Sequence, residues 1–201
     1  MISARLAIAF LIGLTLAARP ALAHSPIEGI GSFYGGVLHP FVVPGHILCL
    51  VALGLWLGGQ ETRNTRIALA AGAISLLAGL ALAHVLASGA LLEPILLIAT
   101  GLLGLAVAAS WQTNALVAAC LAALSLGAIG LDSLVDSDQA RVVLLSAMGT
   151  FCAALWVAFI LASATTGLNA DWQRIGTRVV GSWTAAVALI VLSLRFVQAG
   201  G

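Results

Sequence analysis

Charge is scarce in this sequence. Charged residues make up 7% of the 201 positions, all eight basic residues are arginine, and the formal net charge is +1. Ordinary soluble domains carry about a quarter charged residues, and nucleic-acid binding needs a basic patch. This scarcity excludes nucleic-acid binding. Together with 62% hydrophobic residues and a mean hydropathy of +1.15, it predicts an all-α, polytopic membrane helix bundle.

Cysteine is also rare. Cys49, Cys120 and Cys152 each fall inside an apolar run, and their odd number leaves at least one thiol unpaired. We therefore do not expect a disulfide scaffold. Each cysteine is expected to be a small buried hydrophobic residue, with a soft-metal ligand as the alternative.

Catalytic motifs are missing as well. The sequence contains no nucleophile-base-orienter set, no cofactor fingerprint and no nucleotide-binding motif of the form G-x-x-x-x-G-K-[ST]. We therefore expect neither an enzyme nor a tightly bound cofactor. Any transport would draw on an ion gradient or on the membrane potential.

The N-terminal residues 1–23 have the pattern of a cleavable signal peptide. Arg5 precedes a short apolar run, and Ala21-Leu22-Ala23 is a small-x-small cleavage pattern. The apolar run is about eleven residues, whereas a spanning helix needs about 20; an uncleaved first helix is the alternative. Cleavage would make His24 the extracytoplasmic N-terminus, whose amine and ring nitrogens can chelate a metal once deprotonated.

The remaining residues, 24–201, are predicted to form one domain of six membrane spans. Arginine is more frequent in the loops that follow the odd-numbered spans. This places those loops on the cytoplasmic side of a bacterial-type inner membrane. Gly54 and Gly58 are spaced for close helix approach. The predicted spans cover about residues 37–58, 66–87, 93–110, 115–131, 141–164 and 177–197.

A polar, helix-breaking stretch opens the first span. Its sequence is His39-Pro40-Phe41-Val42-Val43-Pro44-Gly45-His46. On a straight helix the two histidines would lie about 10.5 Å apart along the axis, too far to share an ion at metal–nitrogen distances of about 2.0 to 2.1 Å. Pro44 and Gly45 favour a bend between them. Because hydrocarbon penalises such a segment, it predicts a ligand site inside the protein.

Further candidate ligands lie on the same predicted outer side. His24, His84 and Glu93 are the predicted supporting ligands, and imidazole with carboxylate suits nickel, cobalt or zinc. Cys49, one turn from His46, adds a case for copper. The alternatives are a hydrogen bond from His84 to a carbonyl, a helix N-cap at Glu93, and a solvated loop for Asp132, Asp136 and Asp138.

The first span resembles that of the HupE/UreJ family. The similarity rests on an exported chain that opens with His24, on Leu38-His39-Pro40, on His46, and on the run from Leu50 to Trp56. It implies a small secondary permease for nickel or cobalt, with His39 and His46 as primary ligands. Val43 stands where the family has Gly and Gly45 where it has Asp, so the carboxylate beside the second histidine is missing. The family's later His-containing motif is not evident.

Two other functions stay open at this point. A relative that has lost transport would serve as a small membrane subunit or assembly partner of a larger complex, or as a homo-oligomer. Axial His46 and His84 on different spans would suit a haem protein. Membrane lipid is an expected partner under every interpretation.

Overall fold

Seven α-helices and no strand make up the part of the chain that the structure describes, namely residues 30–86, 92–135, 137–168 and 170–199 of a computed structural model. The predicted all-α fold is confirmed. The predicted signal peptide and His24 lie outside these residues. The helices are α1 (Ser32–Val42), α2 (Pro44–Gly58), α3 (Thr62–Leu86), α4 (Leu92–Ala108), α5 (Ala115–Leu131), α6 (Ala140–Thr166) and α7 (Asp171–Ala199).

The helices extend beyond several predicted spans. Helix α3 begins at Thr62 rather than near residue 66, and α7 begins at Asp171 rather than near residue 177. Polar residues continue backbone hydrogen bonding beyond the apolar run, and Asp171 in the first turn complements the helix dipole. Glu93 lies inside the first turn of α4, so its prediction as an N-cap is wrong.

The lengths and compositions of the helices fit a membrane bundle. Among the described helices, α3, α6 and α7 are long and apolar enough to cross a membrane, and α1 with α2 pass the same test as one pair bent by 74°. Helices α4 and α5 are apolar but shorter, with 17 residues each. The structure thus supports an integral membrane protein, and six crossings stay a prediction.

The bend between α1 and α2 is centred on Val43. This residue is extended (φ −96°, ψ 106°) and Pro44 begins α2, because a proline disfavours helical geometry in the residue before it. The Val43 amide donates to the His39 carbonyl at 3.2 Å, and the Val43 carbonyl accepts from the His46 amide at 3.0 Å. The break therefore leaves neither backbone group of Val43 unpaired, as a low-dielectric environment requires.

The connections between helices gather at two opposite ends of the bundle. At one end, Trp56 and Gln60 side chains both donate to the Trp111 carbonyl at 2.9 Å, and Arg178 donates to the Ala108 carbonyl at 2.7 Å. The α2–α3, α4–α5 and α6–α7 connections all lie at this end. The α5–α6 connection lies at the other end, beside the start of α2. These four connections agree with the alternation that six spans would require; the α3–α4 connection lies outside the described residues.

Glycines bring several helix pairs into close contact. A side chain at Gly36 of α1 would overlap the Ser146 carbonyl of α6, and Thr150 of α6 donates a hydrogen bond to the Gly36 carbonyl at 3.1 Å. Gly54 and Gly58 of α2 pack directly against α6, as their spacing predicted. Helices α1 and α2 are thus both held along α6, which fixes their relative orientation.

Candidate metal site

His39 and His46 meet across the bend. His39 lies in the last turn of α1 and His46 in the first turn of α2, and their ring centres are 5.2 Å apart with the ring planes at 62°. The straight-helix separation would be about 10.5 Å along the axis. The chain bends by 74° between them, at the Pro44-Gly45 position where the sequence favoured a bend.

Asp132 joins this pair from another element. It follows α5, and its Oδ2 lies 3.0 Å from Nε2 of His46. The His46 side chain is fully buried, whereas Asp132 is one-third exposed. A carboxylate can only accept, so Nε2 carries the proton and Nδ1 of a neutral ring keeps its lone pair. Asp132 therefore fixes both the orientation and the tautomer of His46.

Two imidazole nitrogens at this site are buried without a hydrogen-bond partner. They are Nδ1 of His46 and Nε2 of His39. Buried polar atoms nearly always have a partner, so such atoms call for an explanation. With metal–nitrogen bonds of about 2.0 to 2.1 Å, ring centres this far apart are compatible with one ion between them. A carboxylate behind a ligating histidine is the usual arrangement at metal sites.

The site supplies only part of a coordination sphere. Among the described residues, no three His, Cys, Asp or Glu side chains are arranged so that they could hold a metal ion together. Two imidazole nitrogens and one nearby carboxylate leave positions that water would fill.

The other predicted ligands are placed elsewhere or are not described. Glu93 pairs with Arg195 of α7, with Nη2 of the arginine 2.6 Å from Oε1 of the glutamate, and both side chains are substantially exposed. His84 belongs to the last turn of α3, but its side chain is outside the described part, as are His24 and Asp136. These predictions stay untested.

Asp132 is the site residue that sequence reasoning missed. The three loop aspartates were placed on the same outer side as the histidines but interpreted as a solvated loop, whereas Asp132 is one-third exposed and pairs with His46. Its position at the end of an apolar helix, on the same outer side as His46, was the available signal. Nothing in the sequence separates it from Asp136 and Asp138, because its partner lies 86 residues away.

A second group of polar side chains lies deeper in the bundle. Cys49 of α2 is completely buried, and the hydroxyls of Thr100 and Ser125 border its thiol. Cys120 and Cys152 are exposed on the outer surface, so the expectation of burial is wrong for both. An apolar side chain is as stable against lipid as inside the bundle, which is why an apolar run does not predict burial here.

Comparison with known proteins gives one match. The profile of a family described as HupE / UreJ protein matches residues 12–192, which is most of the chain. No curated protein and no solved structure matches the chain. The match includes the bent α1–α2 segment with both histidines and the Asp132 that binds the second. The chain therefore belongs to the HupE/UreJ family, whose members are generally associated with nickel and cobalt transport.

Proposed function

We propose that the protein is a secondary permease for a divalent transition-metal ion, nickel or cobalt, which enters from the extracytoplasmic side through the bent α1–α2 segment. The observation that carries this proposal is the approach of the His39 and His46 rings to 5.2 Å across a 74° bend. The family's association with nickel and cobalt supports the choice of ion.

Each residue of the site has a distinct role in this proposal. Nε2 of His39 and Nδ1 of His46 bind the ion, since both are buried and unpartnered. Asp132 holds His46 through Nε2 and supplies a negative charge that favours a cation. His24, His84 and Glu93 remain proposed supporting ligands on the outer side.

The orientation in the membrane is part of the proposal. The end of the bundle that carries the Trp56–Trp111 contact also carries most of the arginines of the described chain. Arginine-rich connections favour the cytoplasm, so the His39–His46 site faces the extracytoplasmic half of the inner membrane. These arginines are Arg63, Arg66, Arg174 and Arg178.

Metal accumulation in cells that lack their own uptake systems tests the proposal. Nickel, cobalt, zinc and copper are measured separately, with wild type compared with His39→Ala and His46→Ala at matched membrane expression. Surface-bound metal is removed with a chelator before counting. Accumulation of one ion that both substitutions abolish is the expected result, and it names the substrate.

Absence of accumulation above empty-vector cells for all four ions would contradict transport. The protein would then be examined as a subunit of a larger membrane complex, by co-purification from native membranes. A Soret band in the purified protein would instead favour haem binding.

A further inference from the structure

Cys49 lies directly inward of the histidine site. It follows His46 by three residues on α2, which places it on the same helix face about 4.5 Å further along the axis. Both side chains are completely buried. An ion that moved from His46 along this face of α2 would meet the thiol next.

Three different helices bring polar atoms to this point. Cys49 comes from α2, Thr100 from α4 and Ser125 from α5, and each has no exposed surface. The surrounding core consists of aliphatic residues such as Leu50, Leu53, Leu96, Leu103 and Leu126. One sulfur and two hydroxyl oxygens are thus isolated together in an otherwise apolar interior.

Ser125 is the informative member of this group. Helical serines and threonines commonly donate to the carbonyl four residues earlier, as Thr100 does to Leu96 at 2.7 Å and Ser133 does to Ile129 at 2.6 Å. Ser125 does not; its fully buried Oγ lies beside the Cys49 thiol but makes no hydrogen bond of ordinary geometry. A buried hydroxyl without a partner destabilises a fold, so its position needs a reason such as an ion or a water.

We propose that Cys49, Thr100 and Ser125 form a second, inner cation site, to which the ion passes after it leaves His39 and His46. This inference rests on the proposed permease function. The ion binds the Cys49 thiolate, and the thiol proton is released to water that accompanies the ion. Sulfur ligation selects late transition metals over magnesium and calcium, which prefer oxygen ligands alone. Cys49 is then a residue that determines specificity.

Cobalt spectroscopy on the full-length protein tests the inner site. The Cys120→Ala/Cys152→Ala protein keeps Cys49 as its single thiol, and its control carries Cys49→Ser in addition. Cobalt(II) is added to both in detergent, and bound cobalt is counted by equilibrium dialysis. A sulfur-to-cobalt charge-transfer absorption in the near ultraviolet is expected in the first protein and not in the second.

The outcomes separate this inference from the proposed function. Cobalt binding that His46→Ala abolishes, without any sulfur absorption, would overturn the inner site and leave the permease proposal standing. If no cobalt is bound and none of the four metals accumulates in cells, both proposals fail. Sulfur absorption that persists in Cys49→Ser would also overturn the inner site.

Ser125→Ala gives a second test that does not alter the thiol. Removal of an unpartnered buried hydroxyl should leave the thermal midpoint unchanged or raise it. If Ser125 contributes to the site, uptake falls about tenfold despite this. Ser193→Ala, on the exposed face of α7, is the matched control. Unchanged uptake in Ser125→Ala would show that the hydroxyl has no role in handling the ion.

Discussion

At His46 the two ring nitrogens have different surroundings. Nε2 faces a carboxylate at 3.0 Å, while Nδ1 is buried with no partner. With Nε2 protonated toward Asp132, the single lone pair of the neutral ring is at Nδ1, where the proposed ion would bind. The same ring without Asp132 could adopt either tautomer, and only one of them presents a lone pair at Nδ1.

Asp132→Asn should weaken metal binding without removing it. The amide oxygen can still accept from Nε2, but the negative charge is lost, and substitution of such supporting groups typically costs about 10- to 100-fold in affinity. Equilibrium dialysis with nickel or cobalt measures the dissociation constant. Asp138→Asn, in the same connection and exposed, is the control that should bind like wild type. Equal losses in both variants would contradict the role given to Asp132.

The histidine pair could be predicted from the sequence, but its partner could not. The seven-residue spacing with Pro44 between the histidines implies that any shared site needs a bend. The contact with Asp132 depends on how α5 packs, which no local pattern encodes. Likewise, the sequence predicts Glu93 to be a metal ligand because its ion pair with Arg195, 102 residues away, cannot be seen in any local pattern.

The close contact between α1 and α6 determines where His39 lies. Gly36→Ala would place a methyl group against the Ser146 carbonyl, and such overpacking typically costs about 1–3 kcal/mol. We expect a lower thermal midpoint and weaker metal binding, because His39 is displaced with α1. Gly35→Ala, which meets nothing within 4 Å, should instead stabilise the helix by about 0.5–1 kcal/mol. Similar effects from both substitutions would contradict this account of the α1–α6 contact.

The bend itself can be tested at Pro44. A proline inside a continuous helix costs about 3 kcal/mol, so Pro44→Ala would favour a straight α1–α2 helix by up to about 100-fold. The histidines would then separate, and metal affinity should fall by as much as that factor. Pro94→Ala, in the first turn of α4, serves as the control. Wild-type affinity in Pro44→Ala would show that packing against α6 alone maintains the bend.

Hydropathy predicted the approximate positions of the helices, but it did not predict the residues at which they begin and end. Each predicted span overlaps at least one described helix, because long apolar runs in a membrane protein have few alternatives to helix. The ends differ because hydrogen bonding of the backbone continues into polar residues such as Thr62 and Asp171. The first span is two helices rather than one, since Val43 interrupts it.

The orientation of the whole molecule in the membrane can be tested by labelling one exposed position at each end of the bundle. Gln112→Cys and Asp138→Cys are introduced separately into protein carrying Cys49→Ala, Cys120→Ala and Cys152→Ala. Both positions are exposed and lie at opposite ends. In cells with a permeabilised outer membrane and an intact inner membrane, a membrane-impermeant maleimide should label Asp138→Cys. It should label Gln112→Cys only after the cells are lysed. The reverse pattern would invert the proposed direction of uptake.

The sequence does not determine how many helices cross the membrane, because α4 and α5 are short for a membrane span. Helices α4 and α5 have 17 residues each, which gives a length of about 25 Å against a hydrocarbon thickness of about 30 Å. The α4–α5 and α5–α6 connections nevertheless lie at opposite ends of the bundle. Polar extensions such as Asn114 and Asp132 would sit at the membrane surface and reduce the mismatch.

The packing of α1 on α6 also has a consequence for biogenesis. Gly36 of α1 and Thr150 of α6, which form a hydrogen bond, are 114 residues apart. The ribosome has therefore synthesised most of the protein before α1 can pack against α6. A nascent chain that ends after Asp132 already contains His39, His46 and Asp132 but lacks the α6 surface on which α1 packs. Metal binding at the proposed site would therefore have to wait until α6 has been synthesised, and a chain terminated before α6 would not hold the ion.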